Sequence, residues 1–232
     1  MSTIVLVGGS FLGAWAWERV VPLLTAHGHQ VHPLTLTGFG DRAHLGSSDT
    51  TLTTHARDIT AAIEYAGLRE VVLVAHSYGG APATIAAATI PGRISRLVYL
   101  AALLPEPGRS LFDGTPAHVV DAIMQTVRDG RIPVMSDEII DANFGAHGLT
   151  VEDRAWLRAR GAGQPIGTYQ DPAPADLRAV QGLPRTYIAC AGDPGGPPSM
   201  PGMEVVTLDA GHWPMITEPE PLARVLDEAA RS

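Results

Sequence analysis

One serine in this chain stands in a setting that chemistry can use: Val71-Val72-Leu73-Val74-Ala75-His76-Ser77-Tyr78-Gly79-Gly80. The apolar run before it, rich in β-branched valine, reads as a buried strand, and an alanine-rich helical run follows. A strand that becomes a helix at a serine must turn sharply, so only small side chains fit two places to either side. Ala75 and Gly79 meet that need, giving A-x-S-x-G where the nucleophile-elbow pattern has G-x-S-x-G. Such a turn lifts the Ser77 hydroxyl above the carboxyl end of the strand. It also aims the first N–H groups of the helix at any negative charge forming there. The competing reading is an ordinary strand–turn–helix junction with a capping serine.

A nucleophilic serine needs a base, an acid that orients the base, and donors for an oxyanion. The base candidate is His212, in Asp209-Ala210-Gly211-His212-Trp213-Pro214, because it follows the last strand candidate in a loop at the sheet edge. His76 precedes the nucleophile, and its side chain is expected to point away from the Ser77 hydroxyl. Asp193, in Gly192-Asp193-Pro194-Gly195, follows the preceding strand candidate and is the acid candidate; the alternative is a turn aspartate that bonds its own backbone. Asp209 and Glu218 are its rivals. The oxyanion donors are expected from the N–H of Tyr78 and from the loop after the first strand, Gly8-Gly9-Ser10-Phe11-Leu12-Gly13. Those glycines do not make a dinucleotide fingerprint, since Ser10 stands where G-x-G-x-x-G needs its third residue and no acid ends the second strand.

The elements that must hold these residues alternate in type. Strands are predicted over 4–7, 30–36, 71–75, 96–101, 185–189 and 205–208. Helices are predicted over 14–27, 53–67, 78–89, 175–180 and 221–231. This alternation argues an α/β fold with a mostly parallel sheet of about six strands covered by helices on both faces. One stretch breaks the rhythm: residues 104–167 carry no clear strand but three short helical runs over 117–128, 136–144 and 150–160. An insertion of that length commonly forms a lid, so a helical cap inserted after the fourth strand is expected, within a single domain spanning 1–232.

Composition excludes several classes. The 232 residues carry a formal charge of −8 spread along the chain, which disfavours nucleic acid as a partner. No apolar run is long enough to span a membrane, and the first strand begins too early to leave room for a signal peptide. A cytoplasmic protein is expected. Its partner is a small-molecule substrate, with no membrane partner and a homodimer left open. The single cysteine, Cys190, allows neither an internal disulfide nor a cysteine metal site, and packs as a small hydrophobe. All sixteen basic residues are arginine. The lack of lysine removes Schiff-base, pyridoxal-linked and P-loop chemistry. Neither a metal nor a cofactor is expected.

Taken together, Val5-Leu6-Val7-Gly8-Gly9, Gly13-Ala14-Trp15-Ala16-Trp17, Leu34-Thr35-Leu36-Thr37-Gly38-Phe39-Gly40, the Ser77 motif and Gly211-His212-Trp213-Pro214-Met215-Ile216-Thr217-Glu218-Pro219 resemble the α/β-hydrolase superfamily. Within it, they resemble the small esterases related to plant methyl-ester hydrolases and hydroxynitrile lyases. The resemblance implies a cofactor-free site with Ser77 as nucleophile, His212 as base, Asp193 as acid, and Ser10 and Tyr78 as oxyanion donors. The reaction it implies is cleavage of a carboxylic ester or lactone. The ester would be small and hydrophobic or aromatic, with Phe11, Leu12 and Trp213 as pocket walls beside Tyr78. Met124, Phe144 and Trp156 are further walls from the cap. A lyase or cyclase using the same triad as a proton relay, and a slow-turnover receptor, are the alternatives. The lyases of this family use a lysine after the histidine and a threonine in the oxyanion loop, where this chain has Trp213 and Gly9. Gly8 and Leu12 replace two histidines common in relatives, and Ala101 stands near a position where many carry aspartate. The first two changes should leave the oxyanion loop either more flexible or more apolar.

Overall fold

The computed structural model describes residues 1–145, 147–194, 196–198 and 201–232. Its strands are β1 (Thr3–Val7), β2 (Gln30–Leu34), β3 (Val71–His76), β4 (Ile94–Leu100), β5 (Arg131–Ile132), β6 (Gln164–Pro165), β7 (Arg185–Cys190) and β8 (Met203–Leu208). Six of them form one sheet in the order β2-β1-β3-β4-β7-β8, and every pairing in it is parallel. All residues of β3 and β7 are buried, as expected of central strands covered on both faces.

The covering helices sort by face. α1 (Val21–Ala26) and α9 (Pro219–Arg231) place Leu24, Leu222 and Leu226 in one apolar cluster; α2 (Leu52–Tyr65) and α3 (Gly80–Thr89) place Ile59, Ile63, Ala83 and Ala87 in the other. In α9 the buried residues Leu222, Ala223, Leu226 and Ala229 recur at helical spacing. Each buried leucine there contributes about 2 kcal/mol of burial. α2 begins on a Thr51–Thr54 capping box.

The order of strands creates the place for a site. The chain runs from β1 outward to β2, then returns past β1 to β3 on its other side. The loops leaving β1 and β3 therefore diverge to opposite faces, and a crevice opens between them at the carboxyl ends. Ser10 follows β1 and Ser77 follows β3. At the other edge Cys190 and Leu208, the last residues of β7 and β8, are paired in register. Asp193 and His212 lie a few residues beyond them and emerge side by side.

Between β4 and β7 come α4 (Ala117–Thr126), α5 (Asp137–Asn143), α6 (Val151–Arg160) and the single turn α7 (Gly167–Gln170). The first three match the helical runs expected there. The β5–β6 ladder does not, because no apolar alternation announces it. It is held by Arg131, whose guanidinium donates to the carbonyls of Gly38, Ala43, Gly46 and Gly163 and so ties this segment to the loop after β2. Two short turns, α8 (Pro214–Thr217) and a 3-10 turn over Arg178–Gly182, complete the chain.

Three expected elements change shape. The helix over 14–27 is a 3-10 turn, Ala14–Trp17, followed by α1, because Pro22 lacks an N–H and suits only a first helical turn. β2 stops at Leu34, and the hydroxyl of Thr35 accepts from the Ala14 N–H instead. The run over 175–180 becomes the Arg178–Gly182 turn, where Asp176 bonds both the backbone and the guanidinium of Arg178. Among the described residues no helix is long and apolar enough to cross a membrane.

The tightest constraint on this frame is at Gly79. A Cβ there would lie 2.5 Å from the Gly8 carbonyl oxygen and 3.1 Å from Val7 Cγ1. Gly79→Ala should therefore force the β1 and β3 loops apart and cost about 2 kcal/mol or more in urea unfolding. At Gly92 an added Cβ meets nothing within 4 Å. Gly92→Ala should change stability by less than about 0.5 kcal/mol.

Candidate active site

Ser77 ends β3 with φ +50°, a left-handed backbone that a non-glycine residue adopts only where its surroundings impose it. His76 before it is still extended, and a 3-10 turn, Ser77–Gly79, leads directly into α3. The peptide plane thus reverses at the serine and leaves its hydroxyl projecting from the strand end. The hydroxyl donates to His212 Nε2 at 3.0 Å, and His212 Nδ1–H donates to Asp193 Oδ2 at 2.7 Å. Three side chains from three separate strand ends form one continuous hydrogen-bonded line. His212 is 6% exposed, so its bonds to serine and aspartate meet little competition from water.

His76 makes no hydrogen bond to the serine hydroxyl and packs against the second histidine. Its Nε2–H donates to the His212 carbonyl at 2.8 Å, and the two rings are 4.9 Å apart. Burial pushes its pKa well below 6.5, and the neighbouring His212 adds to that, so it stays neutral. His76 Nδ1 has no partner among the described residues. Gly9 packs over it: a Cβ on Gly9 would stand 2.8 Å from Ser77 Cβ and 2.9 Å from that nitrogen.

The loop after β1 is apolar and closed rather than loose. Leu12 is 4% exposed, its N–H bonds to the Gly9 carbonyl, and its Cβ would lie 3.1 Å from a Cβ placed on Gly8. The Phe11 carbonyl accepts from Ala162, and Ser10 Oγ shares a 2.9 Å hydrogen bond with the Tyr169 hydroxyl on α7. The Tyr78 N–H, in the first turn after the elbow, has no intrahelical acceptor, and the Ser10 N–H takes no backbone acceptor among the described residues.

Tyr78 turns its ring into the core, where it stacks on Tyr169 at 5.5 Å. Its hydroxyl meets His55 Nδ1 at 2.9 Å, and His55 Nε2 meets the Thr37 carbonyl at 2.7 Å. Since a carbonyl only accepts, Nε2 carries the proton and Tyr78 donates to Nδ1. Burial raises the Tyr78 phenol well above 10 and lowers His55 to about 4.

The remaining sequence candidates are dispersed. Asp209 and Glu218 are exposed and make no hydrogen bond to His212. Phe144 lies 4.5 Å from the His212 ring and 4.8 Å from Trp213, which is itself 3% exposed. Trp156 packs against Trp15 and Arg19 instead, and Met124 is exposed. Cys190 is buried in β7, its thiol pushed up to about 12 mainly by burial. Sequence reasoning did not single out Tyr169 or His55. Neither belongs to a motif, and their signal exists only once α7 and α2 are packed against the elbow.

Residues 4–225 match the sequence profile of the Alpha/beta hydrolase family. The chain is 33% identical to a carbendazim hydrolyzing esterase of Nocardioides sp. (strain SG-4G), over 97% of this chain and 98% of that protein. It is 28% identical to Methylesterase 9 of Arabidopsis thaliana, over 96% and 95%. Its fold superimposes with a TM-score of 0.88 and 20% identity, over the full length of both chains, on an extracellular alpha/beta-hydrolase of a Paenibacillus species.

The depressed pKa of His55 links this site to stability. Between about 6.5 and about 4 the unfolded chain binds a proton that folded His55 refuses. Stability present above 6.5 is therefore lost as the pH falls through about 4, by about 3 kcal/mol from this residue. Urea unfolding measured across that range should show the loss. His55→Asn should be less stable at neutral pH and decline less steeply on acidification.

Proposed function

The chain belongs to the alpha/beta hydrolase family and is a carboxylic-ester hydrolase, and we propose that it cleaves small hydrophobic or aromatic esters through an acyl-enzyme on Ser77. The observation that carries this reading is the unbroken line from Asp193 Oδ2 through His212 to Ser77 Oγ, with links of 2.7 and 3.0 Å. In this reading the N–H groups of Tyr78 and Ser10 are the oxyanion donors.

In this reading His212 Nε2 removes the Ser77 proton as the serine oxygen attacks the ester carbonyl. Asp193, held against Nδ1, fixes the tautomer and stabilises the imidazolium. The Tyr78 and Ser10 N–H groups stabilise the oxyanion, His212 returns the proton to the departing alcohol, and water repeats the cycle on the acyl group. A cavity of about 210 Å³ lies nearby, but neither the triad, Ser10 nor the expected walls Phe11, Leu12 and Trp213 are among its lining residues. Leu103, whose N–H bonds to the Ser77 carbonyl, lines it with Leu104, Leu111, Thr115 and Tyr169. α4 to α6 form the cap, and Phe144 is its contact with the His212 ring. The names of the relatives, a carbendazim esterase and a methylesterase, favour the same class of small ester.

Steady-state kinetics on p-nitrophenyl esters test the assignment. Ser77→Ala and His212→Ala should each lower kcat by about 10³-fold or more, and the double variant should lose little beyond that. Asp193→Asn should lose activity heavily while Asp209→Asn keeps most of it; the reverse pattern would reassign the acid.

The Ser10–Tyr169 bond gives a separate test. Tyr169→Phe keeps the ring stacked on Tyr78 but frees the Ser10 loop. It should lower kcat by about tenfold, less than the ~10²–10³ that deletion of an oxyanion donor costs, with KM nearly unchanged. An unaltered kcat would mean that the loop is held by its backbone alone.

A further inference from the structure

A cavity of about 410 Å³ lies apart from the triad, between α3, β4, β7 and the Arg178–Gly182 turn. Neither Ser77, His212, Asp193 nor Ser10 lines it, and Leu104 lines both it and the smaller cavity. Its volume falls within the range of about 300–1,000 Å³ usual for small-molecule sites. Leu104, Pro105, Pro107, Leu177 and Val180 make its walls largely apolar.

Its charge does not fit a merely structural void. Arg185, at the start of β7, lines it and is only 6% exposed. Its Nη2 donates to the Pro201 carbonyl at 3.0 Å, while Nε has no acceptor and Nη1 makes no hydrogen bond among the described residues. The one carboxylate of the lining, Asp176, is held by Arg178 through Nε at 3.0 Å and Nη2 at 2.7 Å. The lining therefore holds two arginines against one aspartate, in a chain whose overall charge is −8. Arg185 Nε is shut off from water with no acceptor, which is costly, and a carboxylate is the group that best matches the planar fork of a guanidinium. The nearby hydroxyls do not compete for that role. Thr84 donates to the Gly80 carbonyl, so Tyr99 donates to Thr84, and neither has a proton left for a ligand.

We propose that this cavity is a second ligand site, in which Arg185 binds the carboxylate of a small organic acid and the apolar walls hold its hydrocarbon or aromatic body. A site of this kind is independent of the triad and of the ester reaction assigned to it. It lies on α3, the helix that starts at the elbow, through Thr84 and its bond to Gly80.

Benzoate and its neutral isostere benzamide are suitable probes for calorimetric titration at low ionic strength. Benzoate should bind saturably and benzamide at least about tenfold more weakly. Arg185→Gln should weaken benzoate by about tenfold or more, the loss expected for charge-assisted hydrogen bonds. Benzoate should still bind after Ser77 has been blocked with a phosphonate. Equal binding of the two probes, benzoate binding untouched by Arg185→Gln, or its loss on blocking Ser77 would each overturn the proposal. If Arg185→Gln does not fold, the benzoate–benzamide pair on the wild-type chain decides. Failure of the phosphonate to react would count against Ser77 as nucleophile and leave the first two comparisons to judge the cavity.

Discussion

Everything at the catalytic end of this protein depends on one close approach of backbones, between the turn after β1 and the turn after β3. Ser77 takes a left-handed φ of +50°, and such a residue is strained by about 1–3 kcal/mol unless neighbours hold it. Here Gly79 sits against the Gly8 carbonyl, and Gly9 sits against both Ser77 and His76. No side chain beyond hydrogen fits at either glycine without displacing the other loop. The same contact that packs against the serine brings the loop after β1 to it, so Ser77 and the Ser10 turn are placed by a single piece of packing.

Three histidines around this contact are sorted into different tasks by their surroundings. His55 and His76 are buried, their pKa values lowered by burial, and each holds a proton on the nitrogen that faces a backbone carbonyl. They act as neutral struts: one supports the Tyr78 hydroxyl, the other the backbone of His212. His212 alone has a carboxylate on one nitrogen and a hydroxyl on the other. Asp193 supplies what the other two lack, a negative charge able to stabilise an imidazolium. The base is thus distinguished by its partner rather than by its residue type.

The segment between β4 and β7 is fastened to the hydrolase sheet by polar contacts at separate points. Arg131 gathers four carbonyls, Tyr169 reaches Ser10, Asp171 accepts from the backbone and hydroxyl of Thr53, and Arg19 pairs with Asp153. The Arg131 contacts bond the loop after β2, and Tyr169 bonds the oxyanion loop itself. Any rearrangement of this segment must therefore be felt at the Ser10 turn.

The sheet and the three residues of the Ser77–His212–Asp193 hydrogen-bonded line were legible in the chain because they rest on local signals. Val71–Ala75 reads as a buried strand from its apolar run, the small residues around Ser77 announce a sharp turn, and the positions of Asp193 and His212 after successive strands need only strand order to bring them together. The three helices of the inserted segment were legible for the same reason. The β5–β6 ladder, the Ser10–Tyr169 bond, the His55–Tyr78 pair and the unpaired charge of Arg185 were not. Each joins residues from 23 to 159 positions apart or rests on a buried atom without an acceptor, and no periodicity or motif encodes such a meeting. By itself the sequence determined which residues could do acyl chemistry and which strands carry them. Only the tertiary structure decided that Tyr169 bonds Ser10, how Leu12 packs against Gly8, and where a buried guanidinium nitrogen is left without an acceptor, because these depend on distances across the sheet and not along the chain.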